Sequence, residues 1–428
     1  FMSRAVSASR IAKNRAKAET ERKTKRQPHR VDYFHQLNDP YSHLVAQVVA
    51  DFASRYDIEI VPHLVRASGG RNQPEEEKLA IWARTDCGLI APHYGLSFPE
   101  NAGRVPESEL QKVAGQVLAG LTAQEFLVRI KDISTALWSG DPSGHLSSSE
   151  LNAKPQELET ALDEGSALLA DMNHYSGGTF YYGGEWYWGV DRLFHLEQRL
   201  RDLDACRTPT EPYLVPRPSH DLSGVDASSL RLEFFPSLNS PYTSIIYDRT
   251  IEMSNTCGIT LSHKPVLPMI MRGVAATSVK GSYIFFDTKR EADFFNVPFG
   301  PCVTPIGTPT RRSYSLLPWA KTQGKDVALL SKLLNLAFAQ GIGLHKVENI
   351  RRAVEEVGLD WQEANQHLDS ADWKVITEQN QDEMVDGMGL WGVPSFRLSG
   401  PDGESDLAVW GQDRLWLVAA EIRRRAAL

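Results

Sequence analysis

The sequence predicts an α/β protein made of two tandem copies of one domain, each a βαβ unit, a helical insertion and a ββα ending. Three observations predict it. Leu37-Asn38-Asp39-Pro40-Tyr41-Ser42 and Leu238-Asn239-Ser240-Pro241-Tyr242-Thr243 follow one plan. Each copy then closes on one phrase, Trp188-Gly189-Val190-Asp191-Arg192 and Trp410-Gly411-Gln412-Asp413-Arg414. Finally, 428 residues are too many for a single core, and similarity at this spacing means two domains rather than a solenoid of short repeats.

In the first copy, Val31–Gln36 reads as a short strand. From Pro40 to about Arg55, Leu44, Val45, Val48, Val49 and Phe52 fall on one side of a helix, and Ile58–Val65 is the next strand. The second copy repeats this with a strand at Leu230–Phe235, a helix from Pro241 to about Ser254 and a strand at Gly258–Lys264. A single crossover helix between two strands implies that they run parallel. Helical patterns follow at Glu75–Tyr94 and Glu107–Trp138, then at Ser278–Phe295, Lys325–Gln340, Val347–Val357 and Trp361–Asp386. The second copy ends on β-prone Gly392–Leu398 and Leu407–Trp410, then a helix from Gln412 with Asp413 in its first turn and Arg423, Arg424 and Arg425 in its last. Thr208–Ser229, with Pro209, Pro212, Pro216 and Pro218, has linker composition. The expected organisation is therefore a basic extension at 1–30, domains at 31–205 and 230–428, and a linker at 206–229.

The net charge of −8 is uneven: residues 1–30 hold ten Lys/Arg against Glu19 and Glu21, leaving the remainder at about −16. An acidic body argues against nucleic acid binding by the core, and the basic stretch reads as a solvated, partly disordered or helical extension. Phe1 before Met2 reads as an expression scar. No run approaches the roughly 18 apolar residues of a membrane span, and no apolar secretory core follows the basic start, so a cytoplasmic location is expected. Cys87, Cys206, Cys257 and Cys302 form neither a CxxC nor a Cys/His cluster, so neither a disulfide framework nor a metal site is expected.

Ser240, directly before Pro241, lies where backbone N–H groups are unpaired and the helix dipole is positive, a place that stabilises a thiolate. It equally fits a plain N-cap with proline at N1. Pro394 stands before the late strand, either as an ordinary turn proline at a strand start or as part of a site. Asp413 places a carboxylate at a helix start, with Asp191 repeating it in the first copy. Arg414 and Arg192 read as braces of the fold. Lys280 lies 40 residues after Ser240, and Lys78 lies 39 after Asp39.

These residues carry a resemblance. The second copy resembles the kappa-class glutathione transferases and the 2-hydroxychromene-2-carboxylate isomerases, in the DsbA-like branch of the thioredoxin superfamily. The matching stretches are Phe234–Tyr242, Lys280 with Tyr283, Val297-Pro298-Phe299-Gly300, Gly392-Val393-Pro394 and Trp410–Arg414. The resemblance implies two tandem thioredoxin-like domains and a glutathione-dependent isomerase or transferase acting on a small apolar or aromatic electrophile. Ser240 would hydrogen-bond the glutathione sulfur, Val393 beside a cis Pro394 would pair with its backbone, Lys280 would orient a carboxylate, and Gln412 and Asp413 would meet its γ-glutamyl end. Phe294, Phe295, Phe299 and Trp319 would wall the apolar substrate. Relatives pair as dimers, so the two copies form a possible internal pseudo-dimer. The family's Asn is missing from Arg272–Val279, a segment that looks shortened. In the first copy Asp39 replaces the serine, and the proline position falls at Gly178 or Thr179, although Asn72 and Lys78 remain. The first copy thus reads as a structural or regulatory partner. The alternative is a non-catalytic tandem thioredoxin-like binding protein.

Overall fold

Strand β1 (His29–Gln36) is the centre of the first sheet: it pairs in parallel with β2 (Ile58–Val65) and antiparallel with β3 (Thr179–Tyr182), which pairs with β4 (Glu185–Trp188). In the second sheet β5 (Arg231–Phe235), β6 (Thr260–His263), β7 (Ser395–Ser399) and β8 (Leu407–Trp410) take the same places, so the orders are β2-β1-β3-β4 and β6-β5-β7-β8. This computed structural model describes residues 6–100, 104–141, 144–147, 151–274 and 276–427; Phe1 and Met2 lie outside them. The protein is α/β, with two four-stranded mixed sheets, each carrying a helical insertion, as in tandem thioredoxin-like domains.

Register repeats as well as order. Tyr33 lies opposite Phe180 and Phe234 opposite Phe396, and in both pairs the rings stack with centroids 5.1 Å apart. All four are fully buried. Each such pair contributes about 1 kcal/mol beyond its buried area, so the same cross-strand contact anchors both sheets.

The chain divides into two compact units, Ala12–Pro218 and Ser219–Leu428, the latter joined by the stretch ending at Ile11. The basic extension folds as helix α1 (Ala8–Thr24), held by a bidentate Arg15–Glu185 pair at 2.6 and 2.8 Å. The stretch with linker composition is packed rather than free. Buried Glu197 accepts from Leu214 N, Val215 N and the Tyr56 hydroxyl, while Ala227 N donates to Cys257 O at 2.7 Å.

The helix expected from Pro40 to Arg55 is two helices, α2 (Pro40–Ala46) and α3 (Val49–Arg55), because the backbone tightens to i→i+3 bonds at Gln47 and Val48. After α4 (Glu76–Ile90), the pattern at 107–138 splits into α5 (Ser108–Ala119) and α6 (Ala123–Ser139). Gly120 ends the first, and a Thr122/Glu125 capping box starts the second. Helix α7 (Pro155–Asp171), unanticipated, covers β2, and α8 (Val190–Arg201) ends the copy.

In the second unit, α9 (Pro241–Cys257) runs unbroken for 17 residues, followed by α10 (Ser278–Phe294). Two further unanticipated helices are α11 (Thr308–Ser315) and α12 (Leu317–Thr322); then come α13 (Asp326–Phe338) and α14 (Val347–Glu356). The pattern at 361–386 is α15 (Trp361–His367) and α16 (Asp372–Val385), parted at Asp369, whose φ of +65° no helix accommodates. The last helix, α17, is Leu415–Ala426, preceded by a single 3-10 turn at Gln412–Arg414.

Candidate functional site

The loops after β5 and β6 meet at the carboxyl ends of these parallel strands, where open α/β sheets place their ligands. Val266 N donates to Pro236 O at 2.9 Å. Buried Tyr314 joins the same loops: its hydroxyl accepts from Leu238 N at 3.0 Å and donates to Val266 O at 2.9 Å.

Ser240 caps α9. Its Oγ accepts from Thr243 N at 3.1 Å, with Pro241 in the first turn. The same hydroxyl points across to Val393 O at 3.5 Å, a long, weak bond. The Val393–Pro394 peptide is cis, and Pro394 O accepts from Gly411 N at 2.9 Å. Ser240, Val393 and Pro394, far apart in sequence, therefore form one cluster, with Ser240 8% and Val393 9% exposed.

Gly392 has no room for a side chain, since a Cβ there would lie 1.8–2.1 Å from the Trp410 indole. Gly392→Ala is accordingly expected to cost about 2–3 kcal/mol through overpacking, read as a lower urea midpoint. A midpoint unchanged from wild type would show that the Trp410 ring does not hold this loop.

The remaining expected residues serve other contacts. Gln412, 2% exposed, donates from Nε2 to Glu291 Oε2 at 3.0 Å, and its Oε1 is buried without a partner. Asp413 stands beside it in the 3-10 turn, with Oδ2 3.7 Å from the Arg414 guanidinium. Lys280 lies in the first turn of α10, where its N–H bonds the Thr277 hydroxyl at 3.2 Å. Burial lowers its ammonium pKa. Neither Lys280 nor Gln412 bonds Ser240 or Val393. Arg192 and Arg414 are both buried.

The rings expected to wall an apolar substrate each pack against a neighbour. Phe295 lies under the Arg249 guanidinium, Phe299 stacks on Phe338, Trp319 stacks on His367, and Phe294 packs edge-on against Phe295.

The repeat hid a stronger signal than the lysines. The Tyr242 hydroxyl donates to Asp287 at 2.8 Å, and the Tyr41 hydroxyl donates to Asp86 at 2.7 Å, each pair 45 residues apart. Both aspartates are buried, and Arg290 also reaches Asp287 at 3.3 Å. Aligning Pro-Tyr with Pro-Tyr would have found them. This register also separates the lysines: Lys280 precedes its aspartate by seven residues and Lys78 by eight. One residue turns a helix by about 100°, so they occupy different faces. Lys78 is exposed and pairs with Glu75 at 3.3 Å.

In the first copy, Gly178 is the counterpart of Pro394: its carbonyl accepts from Gly189 N at 2.8 Å, as Pro394 O does from Gly411 N. Its φ of +64° is one only glycine adopts without strain, and a Cβ would lie 2.9 Å from Ser42 N. Asp39 caps α2, accepting from Ser42 N at 2.8 Å and Ser42 Oγ at 2.7 Å. Burial nevertheless pushes its carboxyl up to about 6. Backbone and carboxylate thus close over the helix start that carries Ser240 in the second copy.

Residues 231–423 match the family described as DSBA-like thioredoxin domain. No curated protein sequence matches the chain. Among solved structures, 2-hydroxychromene-2-carboxylate isomerase is similar at 20% identity and a TM-score of 0.38, over 45% of this chain and 94% of that one. A probable DsbA oxidoreductase from Streptomyces coelicolor aligns at 17% identity and a TM-score of 0.34, over 45% of this chain and 89% of its own. The cytosolic disulfide reductase DsbM from Pseudomonas aeruginosa aligns at 14% identity and a TM-score of 0.34, over 46% and 98%. Among the described residues, no helix is long and apolar enough to cross a membrane.

Proposed function

We propose that the C-terminal copy binds glutathione at the start of α9 and uses it on an apolar or aromatic electrophile, as an isomerase or a transferase. The observation that carries this reading is the Ser240 hydroxyl at a helix start, 3.5 Å from Val393 O beside cis Pro394. So weak a bond is easily exchanged for one to a sulfur. A thiolate in that position gains from the dipole of a 17-residue helix and from the Ser240 O–H. In isomerisation the thiolate adds to a conjugated carbon, the former double bond rotates, and the C–S bond breaks to return both thiolate and product. In transfer the C–S bond persists and a leaving group departs. No protein thiol takes part in this scheme: Ser240 and Asp39 hold the two helix starts, and none of the four cysteines stands at either. In the first copy, Asp39 at that position repels a thiolate, which leaves that copy a structural or regulatory role.

A second reading, a non-catalytic binding protein, is favoured by Ser240 Oγ and Gln412 Nε2 both being engaged within the fold. Thermal melting with millimolar glutathione separates the two. Ligand at about 100 times its Kd should stabilise the native state by roughly 2.7 kcal/mol. Ser240→Ala should lose most of that gain, beyond the roughly 1 kcal/mol cost of the missing cap. A wild-type melting curve indifferent to glutathione would reject the enzyme reading.

A further inference from the structure

Arg272 is a cation with no anion. Its Nε donates to Leu267 O at 2.9 Å and its Nη2 to Trp391 O at 2.6 Å. Both partners are neutral carbonyls, and among the described residues no carboxylate lies within ion-pair distance of it. These two bonds occupy one side of the planar fork and leave its end, Nη1 and the second Nη2 hydrogen, free. A fork held rigid on one edge and open on the other matches a carboxylate. Burial pulls its pKa down to about 10, opposed only by the field of Tyr314. A desolvated charge of this kind is costly until an anion joins it.

Trp391 precedes Val393 by two residues, and Tyr314, within electrostatic reach of Arg272, bonds the loop that leads into Ser240. An extended peptide paired antiparallel to Val393 runs toward its own carboxyl end as it passes Trp391, advancing about 3.3 Å per residue. A thiol residue opposite Ser240 with one residue after it therefore ends its chain at the level of the guanidinium. We infer that Arg272 binds the C-terminal carboxylate of a short thiol peptide, in the segment where the family's asparagine is missing. This rests on the glutathione reading above and adds to it the residue that anchors the ligand's far end.

The test compares glutathione with its glycyl ethyl ester, by calorimetry or melting, on the full chain. The wild type should bind the acid about tenfold or more tightly than the ester, the value of a charge-assisted bond. Arg272→Met should bind both at the ester's affinity, and Arg272→Lys should lie between. Equal binding of acid and ester by wild type overturns the assignment and leaves the glutathione reading standing, and this arm needs no variant to fold. An acid preference lost in Lys280→Met yet kept in Arg272→Met gives the carboxylate to Lys280 and also overturns it. If neither compound binds wild type, the glutathione reading fails and takes this inference with it.

Discussion

Asp287→Ala is expected to destabilise the C-terminal unit by roughly 3–5 kcal/mol, the usual cost of removing one partner of a buried ionic cluster. Asp287 is fully buried, accepts from the Tyr242 hydroxyl at 2.8 Å and pairs with Arg290 at 3.3 Å. Without it, a tyrosine hydroxyl and a guanidinium lose a charged acceptor in a medium with no water to replace it. Tyr242→Phe should cost only about 1 kcal/mol, since it removes one neutral donor and leaves the Asp287–Arg290 pair. Asp86→Ala should lower the stability of the N-terminal unit by about 2 kcal/mol through Tyr41. Urea denaturation read separately on each unit measures all three. A cost below about 1 kcal/mol for Asp287→Ala would reduce the Tyr–Asp pair to an incidental contact.

On acidification, the N-terminal unit should open first. His35, His43 and His174 are buried, and desolvation holds them neutral, with pKa values of about 3, 4 and 3. The Nδ1 of each bonds Tyr33, Ser134 or Ser176 in turn. Each folded pKa lies below the unfolded value of about 6.5. The unfolded chain therefore takes up protons that the folded chain refuses, and stability falls as pH drops from about 6.5 toward 4. Asp39 acts with the opposite sign. Its folded value near 6 exceeds the unfolded one, so it destabilises above pH 6 and is relieved as pH falls through that value. The histidines outnumber the one opposing carboxyl, so the net effect across this window is a loss of stability as pH falls. In the C-terminal unit, Glu233 and Asp326 are held below the ordinary carboxylate range despite burial, by Arg397 and Lys264 and by His263. Their contributions are lost only below about pH 4.5. Hydrogen exchange corrected for intrinsic rates, at pH 7, 6 and 5, should show protection falling in residues 29–201 before 231–426. Equal loss in both would discard this account, and His35→Phe should flatten the N-terminal response.

Much of the fold was legible because its signals are local. Short apolar-rich strands, the Pro-Tyr helix starts and the repeated Trp-Gly phrase depend on residues within a few positions of one another. Where local chemistry was misread, a single residue explains it, as with Gly120 and Asp369. The short helices α11 and α12 were missed because each is about two turns long and carries too little period to read. The neighbours of Phe294, Phe295, Phe299 and Trp319 were not legible, since a ring's sequence position does not say which neighbour will take its face.

The sequence by itself determined that the chain holds two copies of one plan, and that only the second pairs a serine before Pro-Tyr with a proline before the late strand. Composition and caps suffice for that, since they act through the nearest backbone. The tertiary structure chose Gly178 over Thr179 as the counterpart of Pro394, and it showed that the aspartates aligned by the repeat, Asp86 and Asp287, accept from the two tyrosines. It also decided that Arg272 is held open beside Trp391. The tyrosine–aspartate pairs, the Ser240–Val393 contact and the Arg272–Trp391 bond join groups 45 to 153 residues apart, and only burial of the shared core brings them within hydrogen-bond distance.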